Sequence, residues 1–135
     1  MEAKLSDFGI SKEIDNDTMT KGVGTYRWTA PELIAGDRYS VAADIYSFGV
    51  LVSELDTHDI PIADYHNEKN RPQHGFQIVT LVRQGTLQPH FTHGCPDWVY
   101  ERCLSLDPHL RPTSPELSHV LRQQLKRPSL PAYFM

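Results

Sequence analysis

The side chains able to do chemistry fall in a few places along this 135-residue chain. Asp7-Phe8-Gly9 sets a carboxylate just ahead of a glycine, but a given tripeptide arises by chance in about one or two per cent of chains this long, so alone it carries little. His90-Phe91-Thr92-His93-Gly94-Cys95 gathers two imidazoles and a thiol, the preferred ligands of Zn²⁺. No fourth ligand stands at a suitable spacing, and the stretch reads as a loop before a helix. Cys95 and Cys103 lack the density of a secreted disulfide scaffold, so a reducing compartment is expected.

Thirteen Lys and Arg against seventeen Asp and Glu give a net charge of -4, which argues against general affinity for nucleic acid or anionic membrane. The longest apolar runs, such as Gly49-Val50-Leu51-Val52, are far too short to span a bilayer, and the first residues hold no apolar signal core. A soluble, cytoplasmic chain is expected. Its length and 39% hydrophobic content suit one domain able to bury a core without disulfide or metal support.

The elements that must position these groups read as follows. Residues 1–34 show no persistent helical period and read as one long loop, the kind of segment that is usually functional. A helix fits Val41 to Leu55, with Ser40 as N-cap and Val41, Ile45, Phe48, Val52 and Leu55 on one stripe. Apolar residues on its other faces mark it as the buried spine of the fold. Asp56 to Gly75 reads as a polar surface loop, Phe76 to Gln84 as a short helix ended by Gly85, and Pro96 to Leu106 as another helix with Val99, Cys103 and Leu106 on one face. Thr113-Ser114-Pro115-Glu116 has the spacing of a capping box, and Leu117, Val120, Leu121 and Leu125 follow at helical intervals until Lys126, Arg127 and Pro128.

Four motifs then fall in one order. Asp7-Phe8-Gly9 is followed by Ala30-Pro31-Glu32 at the distance that separates the two ends of a protein-kinase activation segment, with Gly24-Thr25-Tyr26-Arg27-Trp28-Thr29 resembling that family's substrate-facing loop. Asp44-Ile45-Tyr46-Ser47-Phe48-Gly49 resembles the start of the central helix of the kinase C-terminal lobe, and Leu106 to Thr113 the turn before its final helix. The wording is closest to the tyrosine-kinase-like group, most of whose members modify Ser and Thr. The resemblance runs from Lys4 to about Leu125. It implies a mainly α fold: residues 1–127 as part of a kinase domain, with the activation segment at 7–32, the helical C-terminal lobe at 40–127 and a loosely ordered tail at 128–135.

The same resemblance implies roles. Asp7 would be a Mg²⁺ ligand facing ATP, with Phe8 and Gly9 the packing and hinge residues of its turn. Thr25 would approach the acceptor hydroxyl, with Tyr26 to Thr29 shaping the pocket beside it. Thr18 and Thr20, and less so Ser11, are candidate phosphorylation sites in the loop. Glu32 and Arg111 would form a buried ion pair that ties the segment to the last helices, and Asp44, whose family partner lies in the catalytic loop, would bond locally or to water. The glycine-rich loop, the strand lysine, its glutamate partner and the His-Arg-Asp catalytic loop do not occur in these 135 residues.

The expected function is therefore transfer of the ATP γ-phosphate to Ser or Thr of a protein substrate, by a truncated domain not competent alone and binding neither Mg²⁺ nor ATP by itself. The alternative is a non-catalytic, pseudokinase-like module that docks a partner kinase. Either way the spine helix is expected to leave apolar surface open to self-association, because the elements that would cover it precede Asp7 in a kinase.

Overall fold

The computed structural model describes residue 4, residues 26–62 and residues 75–126 of the chain. Among them the architecture is helical and no strand forms. A five-residue helix α1 (Pro31–Ala35) begins inside the stretch that reads as loop in the sequence. Pro31 starts it with a pre-set φ and a missing N–H that no helix start would use, and Gly36, at φ 91°, ends it in the left-handed region that favours glycine.

Helix α2 (Val41–Thr57) is the central element. Ser40 sits at its N-cap with extended backbone, but its side chain makes no capping bond; its carbonyl accepts from Ala43 N–H at 3.0 Å. The expected stripe is corrected here. Val41 is 48% and Leu55 65% exposed, and the buried face consists of Ala43, Ile45, Tyr46, Gly49, Val50 and Ser53. Small residues decide this, because Ala43, Gly49 and Ser53 let neighbouring backbone approach where a bulkier stripe would hold it off. A Cβ on Gly49 would lie 2.9 Å from Leu104 Cδ2 and 3.0 Å from Cys103 Cβ.

Helix α3 (Gly75–Arg83) ends as its sequence suggests: Gly85 turns at φ 71°, its N–H donating to Val82 O and Thr86 N–H to Leu81 O. The helix expected over 96–106 is shorter and wider, a π-helical turn over Val99–Cys103. The chain must turn there, since the adjacent Cys103 and Leu104 are both buried in different clusters, which one face of a regular helix cannot provide. Leu106, expected inside, is 43% exposed. It still packs on Gly85, where a Cβ would come within 2.4 Å of its Cδ1. A 3₁₀ turn (Pro108–Leu110) follows, capped by Asp107, whose carboxylate accepts from His109 N–H at 2.9 Å.

Helix α4 (Ser114–Lys126) starts at half a capping box. The Glu116 carboxylate reaches back to Thr113 N–H at 2.7 Å and accepts from Thr113 Oγ1 at 2.8 Å. Three apolar clusters hold the elements together. Ala30, Ala43, Tyr46, Val50 and Leu104 form one; Ile45, Cys103 and Leu117 a second; Ile62, Ile78 and Val82 a third. The last corrects the reading of residues 56–75 as a polar surface loop, since Pro61 and Ile62 are buried and Ile62 packs against α3. The tail at 128–135 lies outside the described residues.

Candidate functional site

Residues 26–32 form the described part of the segment singled out in the sequence, and each of several side chains fastens it to the lobe. Trp28 is held at both ends: Ser47 Oγ donates to its carbonyl at 2.7 Å, and its indole Nε1–H donates to Glu54 Oε2 at 3.0 Å. Ser47 and Glu54 stand seven residues apart, on one face of α2. Arg27 reaches across to the chain after α2, where its Nη1 donates to Pro61 O at 3.2 Å and Ile62 O at 2.8 Å. The Arg27 and Trp28 contacts were missed by sequence reasoning. Two polar residues spaced by seven on an apolar helix were the only signal available for Trp28, and nothing local marked the partner of Arg27.

Glu32 and Arg111, 79 positions apart, meet in a bidentate ion pair with Nη1–Oε1 at 2.6 Å and Nη2–Oε2 at 2.8 Å. The Arg111 side chain is fully buried and that of Glu32 is 9% exposed. Two further Arg111 donors go to Ala42 O at 3.0 Å and Ser105 O at 2.9 Å, and its guanidinium lies 5.0 Å from the Tyr46 ring centre. One arginine thus joins α1, α2 and the turns before α4. Burial pushes the Tyr46 phenol up to about 12; the charge of Arg111 works against that rise and the charge of Glu32 adds to it.

Asp44, at the exposed first turn of α2, accepts a short hydrogen bond from the Tyr39 hydroxyl. Burial, followed by the bond and the charge of Asp44, raises the Tyr39 phenol far above its ordinary range. Asp7, Phe8, Gly9, Ser11, Thr18, Thr20 and Thr25 lie outside the described residues, so no distance relates them to this frame.

The donor chemistry of the described residues bears on the implied Mg²⁺ and ATP. Glu32 is taken by Arg111, Glu54 by Trp28 and Asp44 by Tyr39, so none of these carboxylates stands free beside the segment. By the resemblance the Mg²⁺ ligand of the segment is Asp7, outside the described residues, and Mg²⁺ needs phosphates held by other residues to complete its shell. Among the described residues no group of three His, Cys, Asp or Glu side chains could hold a metal ion, and His90 and His93 are exposed. No helix among the described residues is long and apolar enough to cross a membrane.

A groove of about 360 Å³ opens between α2 and α4, lined by Ile45, Phe48, Leu117, Leu121 and Leu125, with Asp44 and Arg122 at its rim. Leu125 is 85% exposed there.

Comparison with known proteins follows the same outline. A family model described as "Protein kinase domain" matches residues 1–124. A probable serine/threonine-protein kinase of Dictyostelium discoideum is 33% identical over 126 residues, 88% of this chain and 7% of its own length. A tyrosine-protein kinase of Spongilla lacustris, SRK3, is 36% identical over 87% of the chain and 35% of its own length, and the serine/threonine-protein kinase STY17 of Arabidopsis thaliana is 32% identical over 91% and 21%. The cryo-EM structure of the AtMLKL3 tetramer superposes with a TM-score of 0.57 at 33% identity, covering 70% of this chain and 17% of that one. The chain thus spans about a third or less of the length of each of these relatives.

Proposed function

The chain belongs to the protein kinase family, in its tyrosine-kinase-like group, with the fold of the C-terminal lobe; from that premise we propose that it serves transfer of the ATP γ-phosphate to Ser or Thr hydroxyls of proteins. The observation that carries this reading is the segment 26–32 fastened at Arg27, Trp28 and Glu32, because phosphoryl transfer depends on holding the acceptor in place more than on covalent chemistry by the protein. In this reading Thr25 lies beside the acceptor hydroxyl and Asp7 contributes a Mg²⁺ ligand, with Phe8 and Gly9 shaping its turn. When bound, ATP would supply the phosphoryl group and Mg²⁺ would neutralise charge on its phosphates. Thr18 and Thr20 are candidate sites where a phosphate of about -1.5 to -2 charges would order the loop on a nearby cation.

The 135 residues alone do not turn over in this reading, since the family's catalytic-loop base, strand lysine and phosphate loop do not occur among them. The test is a pair of proteins. A chimera in which the preceding half of the Dictyostelium kinase domain is joined ahead of Asp7 should phosphorylate a generic Ser/Thr substrate, and Asp7→Ala should abolish that. The 135-residue chain should show neither activity nor a thermal shift with Mg·ATP. An inactive but folded chimera would favour the second reading, a non-catalytic module that docks a partner protein, for which the open groove between α2 and α4 speaks.

A further inference from the structure

We propose that Arg27 is a positioning residue, a latch that holds the Pro61–Ile62 turn in a strained conformation and so fastens residues 26–29 to α3. Ile62 has φ 58°, a region that a β-branched residue adopts only when its surroundings force it. A guanidinium and an apolar cluster converge on it. Arg27 Nη1 takes the carbonyls of both Pro61 and Ile62, at 3.2 and 2.8 Å. A left-handed turn keeps successive carbonyls on one side, where an extended residue would point them opposite ways, so the two bonds and the unusual φ require each other. The Ile62 side chain, 8% exposed, packs with Ile78 and Val82 of α3, and Tyr26, Ile34 and Leu87 close the same cluster. The Arg27 guanidinium also lies 5.3 Å from the ring centre of Tyr26.

The chain before α1 and the chain after α2 therefore meet twice, once through the guanidinium and once through the cluster. Ionised donors make the first contact stronger than a neutral bond would be. Without it, Ile62 relaxes toward the extended region, one carbonyl turns away and the side chain loses its seat against α3. A change at residues 26–29 is then felt at α3, and the reverse. That residues 26–29 face a substrate rests on the functional reading above; the latch itself does not, and its test reads no activity.

The experiment is amide hydrogen exchange on the 135-residue chain, comparing the parent with Arg27→Met, which keeps the aliphatic stem and removes the donors, and Arg27→Lys, which can still donate to one carbonyl. Exchange in α3 should accelerate about tenfold or more in R27M, as expected for loss of a charge-assisted bond, while α4 stays at the parent rate. R27K should restore most of the protection. Exchange in R27M within twofold of the parent, acceleration shared equally by α3 and α4, or R27K behaving like R27M would each overturn the proposal.

Discussion

Arg111 shows how much one side chain can decide. Its guanidinium is fully buried, so its charge must be met on every side, and Glu32 together with the carbonyls of Ala42 and Ser105 does so. Removing one member strands the other. Glu32→Leu or Arg111→Met should each lower unfolding stability by about 3 to 5 kcal/mol, while the double variant should lose less than the larger single loss, because no lone charge is left inside. Chemical denaturation of the four proteins checks this; losses that simply add would mean that the pair is solvated and weakly coupled. The pH dependence of the molecule has a residue-level source as well. The bonds from Thr113 N–H and Oγ1 hold the Glu116 carboxyl below its ordinary value of 4.5. A depressed carboxyl adds stability above the unfolded value and loses it as pH falls through the folded one. The stability difference between the parent and Glu116→Gln should therefore be present at pH 7 and shrink as pH falls below the ordinary carboxyl value of 4.5. A difference that persists unchanged at pH 3 would assign it to something other than the carboxylate.

Among the elements, α2 and the π-helical turn show packing overruling local preference. Alanine favours a helix over glycine by about 1 kcal/mol, so Gly49→Ala would stabilise an isolated helix. In the fold its methyl would meet Leu104 Cδ2, which can swing away, and Cys103 Cβ, which is fixed to backbone. Overpacking of this kind costs about 1 to 3 kcal/mol, so a net loss of about 1 kcal/mol is expected in thermal unfolding. A rise in midpoint would mean that the π-helical turn yields without cost. The same close approach explains why Gly49 and Ser53 are buried while Leu51, at 44% exposure, and Leu55 face outward.

At the scale of the molecule, the consequence among the described residues is a set of exposed apolar side chains. Leu51, Leu55, Ile60, Leu110 and Leu125 are exposed, and the groove between α2 and α4 is lined mostly by apolar side chains. Contiguous apolar surface of more than a few hundred Å² marks an interaction site or an aggregation hazard. The 135-residue chain should self-associate in sedimentation velocity at micromolar concentrations and brighten a dye that reports apolar surface. A monomer that melts cooperatively and leaves the dye dark would show that these side chains are too scattered to act as a patch.

Much of this was legible along the chain, for a physical reason. Helix ends are written locally: Gly36 and Gly85 at positive φ, Pro31 at a first turn and the Thr113–Glu116 pair each act within a few residues of themselves. The motifs that place the chain among kinases are likewise short and contiguous, and the pairing of Glu32 with Arg111 followed from the resemblance they carry. Burial was not local. Which face of α2 turns inward, why the helix expected over 96–106 shrinks to a π-helical turn, and which carbonyls Arg27 seeks depend on elements many residues away. Hydrophobic periodicity states which residues could be buried; close packing of small side chains against distant backbone selects which of them are.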